Sequence, residues 1–253
     1  MHNLYIFDID GTLTPSRQKM TPEFSKFFDT WADKNNYYLV TGSDLEKVEE
    51  QIPISYIDKA QGLFTCCGNQ FYMNKLWKSG DKQEMHRYIK YNNKFNVPDG
   101  LEEFLMHKVK DSMCPIRVGN HIENRDSMLN FSVVGRDCNQ EQREEYFEWD
   151  KKNKERKYIV NQLKSKFQTL EASIGGQISI DIYEPGMDKS QIFSHIQKNY
   201  QGLVDKTIFI GDRTTENGND YPLAKLMNNT PACEVYQTDG PENTIQILKE
   251  LND

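Results

Sequence analysis

No stretch of this 253-residue chain is both long and apolar enough to form a bilayer-spanning helix. It also has no basic excess: 31 Lys and Arg stand against 38 Asp and Glu, a formal charge of −7. A general nucleic-acid binder needs a basic face, so neither a membrane nor a nucleic acid is expected as partner. Cysteine is sparse. The five thiols, Cys66, Cys67, Cys114, Cys138 and Cys233, are odd in number and lack zinc-ligand spacing, which reads as a reduced set. No internal repeat, low-complexity tract or long linker interrupts the chain. Its first predicted strand begins almost at once and leaves no room for a secretory leader, so the expected compartment is the cytosol.

What the chain does have is concentrated early. Tyr5-Ile6-Phe7-Asp8-Ile9-Asp10-Gly11-Thr12-Leu13-Thr14 sets two carboxylates at the end of an apolar run, directly before a glycine turn. A short apolar run bounded by a turn reads as a buried strand, and open α/β sheets bind ligands beyond the carboxyl ends of their strands. Strand alternation puts Asp8 and Asp10 on one side and Ile9 on the other. Such a pair suits a hard cation, and the amides and hydroxyls of Thr12 and Thr14 are placed to cradle a phosphate beside it.

An α/β rhythm follows. Thr21 and Pro22 supply an N-cap and a first-turn proline, after which Phe24, Phe27, Phe28 and Trp31 recur at helical spacing. Residues 37–40 read as a second strand, and Ser43 with Glu46 as a capping box for the next helix. Residues 63–66 read as a third strand, and 71–73 and 76–77 as a hairpin around an Asn-Lys turn. From about residue 81 to 185 the chain is richer in charge. Two helical stretches are predicted before Met113 and a long one over 140–167, with strands over 116–122, 128–134 and 178–183. Grouped elements of this kind suggest an inserted α+β unit. The rhythm resumes from Asp188, with Ile192, Ile196 and Tyr200 on a helix, strands over 207–210 and 232–236, and a final helix carrying Ile245, Leu248 and Leu251.

The second half repeats the chemistry of the first. Phe209-Ile210-Gly211-Asp212 again ends an apolar strand in glycine and carboxylate, making Asp212 a candidate cation ligand. Asp220 is read as orienting a metal-bound water or capping the helix near Pro222.

The Asp8-Ile9-Asp10 string, with Lys189 and then Gly211-Asp212 after an insert, resembles the signatures of the haloacid dehalogenase superfamily. The resemblance narrows further. FDIDGTLTPSRQ over residues 7–18, RDSMLNFSVVGR, SIGGQISID, GMDK and GDRTTENGND occur in the order of the eukaryotic-type phosphomannomutases and cover most of the chain. It implies an α/β fold, a haloacid dehalogenase-like Rossmannoid core (residues 1–80 and 186–253) with an α+β cap inserted between its halves (residues 81–185). It further implies Asp8 as nucleophile, Asp10 as general acid/base and Lys189 as the balancing charge. Mg2+ would be held by Asp8, the main-chain oxygen of Asp10, and Asp212. Arg17, Arg125, Arg136, Arg143, Ser179 and Asp181 fall on the family's substrate-contacting positions. The implied reaction interconverts mannose 6-phosphate and mannose 1-phosphate for GDP-mannose synthesis, with a hexose 1,6-bisphosphate as activator, in a homodimer formed through the cap.

Three segments depart from that family: the one after Asp220, where the family's auxiliary cation site is not expected, and two others. Thr41-Gly42-Ser43-Asp44 replaces its Gly-Gly-Ser-Asp, so Thr41 or Ser43 is a candidate phosphate donor, and Cys66-Cys67-Gly68-Asn69 replaces its Glu-Asn-Gly. Both favour a magnesium-dependent hexose-phosphate phosphatase, whereas the cap arginines favour the mutase. A non-catalytic sugar-phosphate sensor has no need of both Asp8 and Asp10.

Overall fold

The computed structural model describes residues 3–79, 82–200 and 202–251 and places the run ending at Asp8 in the middle of a sheet. Its strands are β1 (Asn3–Asp8), β2 (Asn36–Val40), β3 (Gly62–Thr65), β4 (Gln70–Ser79), β5 (Lys82–Asn92), β6 (Ile122–Asn124), β7 (Leu129–Ser132), β8 (Glu171–Gly175), β9 (Ser179–Tyr183), β10 (Lys206–Gly211) and β11 (Cys233–Gln237). The helices are α1 (Pro22–Ala32), α2 (Leu45–Gln51), α3 (Ile54–Lys59), α4 (Leu101–Asp111), α5 (Gln140–Asn153), α6 (Glu155–Lys166), α7 (Gln191–Tyr200), α8 (Tyr221–Asn228) and α9 (Pro241–Glu250). Seven strands form one sheet in the order β11-β10-β1-β2-β3-β4-β5, parallel from β11 to β3. The other four form an antiparallel sheet, β6-β7-β9-β8. The chain winds outward from β1 on one side and returns on the other, so a topological switch point lies at the end of β1.

Alternation along β1 sorts its side chains between two cores. Tyr5 and Phe7 join Phe24, Phe28 and Trp31 of α1 and Ile247 and Leu248 of α9. Leu4 and Ile6 join Ile192 and Ile196 of α7 and Leu223 and Met227 of α8. Asp8 continues the second series, toward the helices that follow Lys189 and Asp220. A third core fills the smaller sheet, where Phe104, Leu105, Phe131, Tyr146, Leu163 and Ile180 pack together.

Several expectations are corrected. Asp44, not Ser43, caps α2, accepting from the Lys47 N–H at 3.0 Å. Thr41 Oγ1 takes the Ser43 N–H at 3.0 Å and turns that residue into the cleft. No turn forms at Asn74-Lys75, because the Asn74 amide bonds Ile57 O and Asp58 O and β4 runs straight through. The first helical stretch of the insert is instead β5, whose pairing with β4 overrides local pattern. Ser79 therefore pairs with Lys82 within the larger sheet, and the chain leaves that sheet after Asn92. Residues 116–121 are not a strand, because the Arg117 guanidinium gathers the carbonyls of Val109, Ser112, Cys114 and Ile116 and curls the backbone around itself. The long helix breaks at Lys154, which has φ 57°.

That break is held by a buried pair. Arg156 donates from N and Nε to the Asp150 carboxylate at 2.9 and 2.7 Å, and its Nη1 reaches Gly176 O at 3.0 Å. Asp150→Ala leaves the Arg156 charge buried without its carboxylate, and is expected to cost about 3–5 kcal/mol in urea unfolding. A change within about 0.5 kcal/mol, the range of surface substitutions, would contradict this.

Candidate active site

At the end of β1 the Asp8 carboxylate meets a lysine 181 positions away. Lys189 Nζ lies 2.5 Å from Asp8 Oδ1 and 2.7 Å from Asp220 Oδ1, with both Lys189 and Asp220 fully buried. Asp220 also accepts the Arg213 N–H at 2.9 Å and makes no side-chain cap on α8. It is thus neither the plain helix cap nor a distant bystander. Asp8, Asp212 and Asp220 bring carboxylate oxygens within 4.8 Å of one another. Gly11, at φ +81°, permits this approach, since a Cβ there would stand 2.7 Å from Asp212 Oδ2.

Three carboxylates thus face the Lys189 ammonium, with the Arg213 guanidinium 3.3 Å from Asp212. Burial pushes the Asp8 carboxyl well above the usual range, with Asp220 and Asp212 adding to the rise against Lys189. Burial likewise pushes Asp212 up to about 7. Against the burial that would lower it, Asp220 and Asp8 hold the Lys189 ammonium well above its ordinary value. Surplus negative charge beside oxygen-only donors is what a hard divalent cation relieves, so these residues fit one.

The Asp10 carboxylate lies outside that cluster. It accepts the Arg17 N–H at 2.7 Å, Gln51 Nε2 at 2.9 Å and Ser43 Oγ at 3.3 Å. Gln51 had no sequence signal; only the packing of α2 brings it here. Thr12 and Thr14 do not cradle anything with their amides, which bond Ile9 O; both are buried, and Thr12 Oγ1 donates to Asp8 Oδ2 at 3.3 Å. Thr41 and Ser43 do line the cleft.

Across the cleft stands a cationic wall. Arg17, Arg125 and Arg143 line it, with Ser179 and Asp181. Arg136 lies just behind, donating to Ser179 Oγ at 2.7 Å. Glu123, unnoticed in the sequence, pairs with Arg125 at 2.6 Å and Arg136 at 3.1 Å. One carboxylate does not satisfy this wall. Arg136 Nε and Arg143 Nη1 are buried without hydrogen-bond partners. Burial, with Arg17 next, lowers Arg136 to about 9 and Arg143 to about 10, so both stay charged at neutral pH. Asp181 meets Asn130 Nδ2 at 2.6 Å and Asn219 Nδ2 at 3.3 Å instead of an arginine. Cys66 and Cys67 are buried core thiols, and burial pushes Cys66 up to about 11.

The space between the two walls is about 40 Å³, room for one or two waters. Small-molecule sites measure roughly 300–1,000 Å³, so the two walls lie close together.

Comparison with known proteins agrees with this geometry. The profile described as eukaryotic phosphomannomutase matches residues 24–253. Phosphomannomutase 1 of Dictyostelium discoideum is 34% identical over 253 residues, covering 99% of this chain and 96% of its own. The phosphomannomutase of Encephalitozoon cuniculi is 37% identical over 222 residues, covering 87% and 83%. Among solved structures, an IMP-bound IMP-nucleotidase mutant from Plasmodium falciparum superposes with a TM-score of 0.64 at 17% identity, covering 99% of this chain and 66% of that one. A haloacid dehalogenase-like hydrolase from Bacteroides thetaiotaomicron superposes at 0.56 and 14%, covering 99% and 100%. These structures speak for the fold: a haloacid dehalogenase-like α/β core carrying a cap. Among the described residues no helix is long and apolar enough to cross a membrane.

The raised Asp212 sets a pH dependence. A carboxyl whose folded pKa is raised stabilises the cation-free protein fully below about pH 4, and that contribution is lost as pH rises through about 7. A cation binds the ionised form and reverses the loss. Magnesium should therefore raise the melting temperature strongly near pH 8 and little near about pH 5.5, with affinity falling about tenfold per pH unit below 7 for one displaced proton. Thermal melts with and without magnesium check this; an equal rise at both pH values would contradict it.

Proposed function

The chain belongs to the eukaryotic phosphomannomutase family, and from that premise we propose that it interconverts mannose 6-phosphate and mannose 1-phosphate through an aspartyl-phosphate on Asp8. One observation carries the reading: a buried nucleophile cluster and an arginine wall with unpaired donors face each other across a closing cleft. A phosphatase needs one phosphate site. A mutase working through a hexose bisphosphate needs two.

Lys189 occupies Asp8 Oδ1, so Oδ2, which takes the Thr12 hydroxyl at 3.3 Å, is the attacking oxygen. As the new P–O bond forms, the bond to the sugar oxygen breaks and Asp10 delivers a proton to it. In the second transfer Asp10 takes the proton from the other sugar hydroxyl, which attacks phosphorus as the bond to Asp8 breaks. Asp8, Asp212 and the main-chain oxygen of Asp10 would hold Mg2+, with Asp220 beside them; the ion neutralises charge where an anionic nucleophile meets a phosphate. Thr41 and Ser43 donate to the transferring group. Arg17, Arg125, Arg136 and Arg143 receive the distal phosphate, and Ser179 and Asp181 the sugar hydroxyls.

A bisphosphate that presents first one phosphate and then the other requires the cap to open between half-reactions and to exclude water during transfer. We assign the cap to residues 93–185. Gly186, at φ +81° with no atom of the described residues beyond its chain neighbours within 4 Å of where a Cβ would stand, is one proposed hinge; the sequence also offers Ser79-Gly80 as a second, of which Gly80 lies outside the described residues. Activation by a hexose 1,6-bisphosphate, a cap-to-cap homodimer, a cytosolic location and supply of GDP-mannose synthesis are part of the same proposal, supported by the family likeness.

Asp8→Asn should abolish isomerisation. Arg143→Ala should slow it by about one to two decades, from roughly 1.5–3 kcal/mol lost per charge-assisted contact, and should raise the ratio of free phosphate to isomerised sugar. Following both products in one assay separates the readings. Wild-type protein that only releases phosphate, even with bisphosphate present, would establish the phosphatase instead.

A further inference from the structure

The loop from Asp212 to Asp220 does more than join β10 to α8. The Ile174 N–H donates to Asn217 O at 2.9 Å and the Asn219 N–H donates to Ile174 O at 3.1 Å, making a parallel bridge between Ile174 and Gly218. Ile174 belongs to β8, an outer strand of the smaller sheet. Undocked, this edge presents unpaired backbone groups. The core loop satisfies them as an added strand would.

Arg213 adds side-chain contacts to the same junction. Its Nη2 donates to Gly176 O, in the β8–β9 turn, at 2.9 Å, and its guanidinium lies 5.1 Å from the centre of the Phe147 ring on α5. Asn219 Nδ2 reaches Asp181 at 3.3 Å. The loop's shape is specific: a Cβ on Gly218 would stand 2.1 Å from Arg213 O. Both of its ends are carboxylates of the acidic cluster.

We propose that residues 213–219 form a clasp, in which Arg213 is a positioning residue that seats the cap edge on the core and so holds Ser179 and Asp181 toward Asp8 during transfer. The proposal rests on the mutase reading. When the clasp loosens, water reaches the aspartyl-phosphate: its oxygen bonds phosphorus, the bond to Asp8 breaks, Asp10 takes the proton and inorganic phosphate leaves.

Amide hydrogen exchange and a two-product assay on wild type, Arg213→Met and Arg213→Lys test it. In Arg213→Met the Ile174 and Asn219 amides should exchange about tenfold faster, the loss expected for one charge-assisted bond, while Ile182 in the central strand stays as in wild type. The ratio of hydrolysis to transfer should rise by about the same factor at unchanged melting temperature, and Arg213→Lys should recover part of it. A purely structural role would lower both products together. Wild-type exchange at Ile174 and Asn219 in Arg213→Met, or an unchanged ratio, overturns the clasp. If Arg213→Met does not fold, Phe147→Leu removes the ring beneath the guanidinium and the same two readings decide. Wild-type protein that transfers nothing to sugar would refute the mutase reading, whereas exchange at Ile174 would still judge the clasp.

Discussion

The Lys189 ammonium, fully buried between Asp8 and Asp220, is the constraint from which the rest of the site is built. An ammonium taken out of water is tolerated only when carboxylates surround it closely. Meeting that condition draws together the end of β1, the approach to α7 and the start of α8, segments separated by the whole insert. The acidic cluster, the close packing of Gly11 against Asp212 and the compact loop after Asp212 all follow from where these three chain segments meet.

The two walls of the cleft are each electrostatically incomplete, in opposite senses. Burial first, and neighbouring like charges after it, raise Asp8 and Asp212 and lower Arg136 and Arg143. Burial in low dielectric enlarges both imbalances, and charges fixed in advance need no reorganisation when a reacting group arrives. On the proposed reading, a cation completes one wall and a distal phosphate the other. Closure then matters because a 40 Å³ gap leaves little water to screen either.

The contacts that join core and cap are mostly backbone or backbone-directed. Arg125 donates to Gly42 O, Arg213 to Gly176 O, and the Ile174 bridge uses no side chain. Beside these polar contacts, Cys66 and Cys67 of the core pack with Met128 and Tyr183 of the cap in a buried apolar cluster.

Asp8, Asp10 and Asp212 were legible in the chain because an apolar strand ending in carboxylate and glycine announces its own geometry, whereas Lys189 was marked only by its place in the motif order of the resembled family. So were α1, with its Thr21 cap and aromatic stripe, and the parallel strands of the core. The α+β character of the insert was also readable, but not its details. Residues 82–92 became β5 through pairing with β4, and 116–121 lost their strand to the carbonyl shell around Arg117, both long-range outcomes that periodicity does not encode. Gln51 beside Asp10, Glu123 among the arginines, Asp220 on Lys189 and Asn219 on Asp181 had no signal, since each acts through a partner distant in sequence or on another element. The residues able to do chemistry were therefore set by the sequence itself, whereas their charge balance and the docking of the cap were decided only when folding brought separate segments into contact at low dielectric.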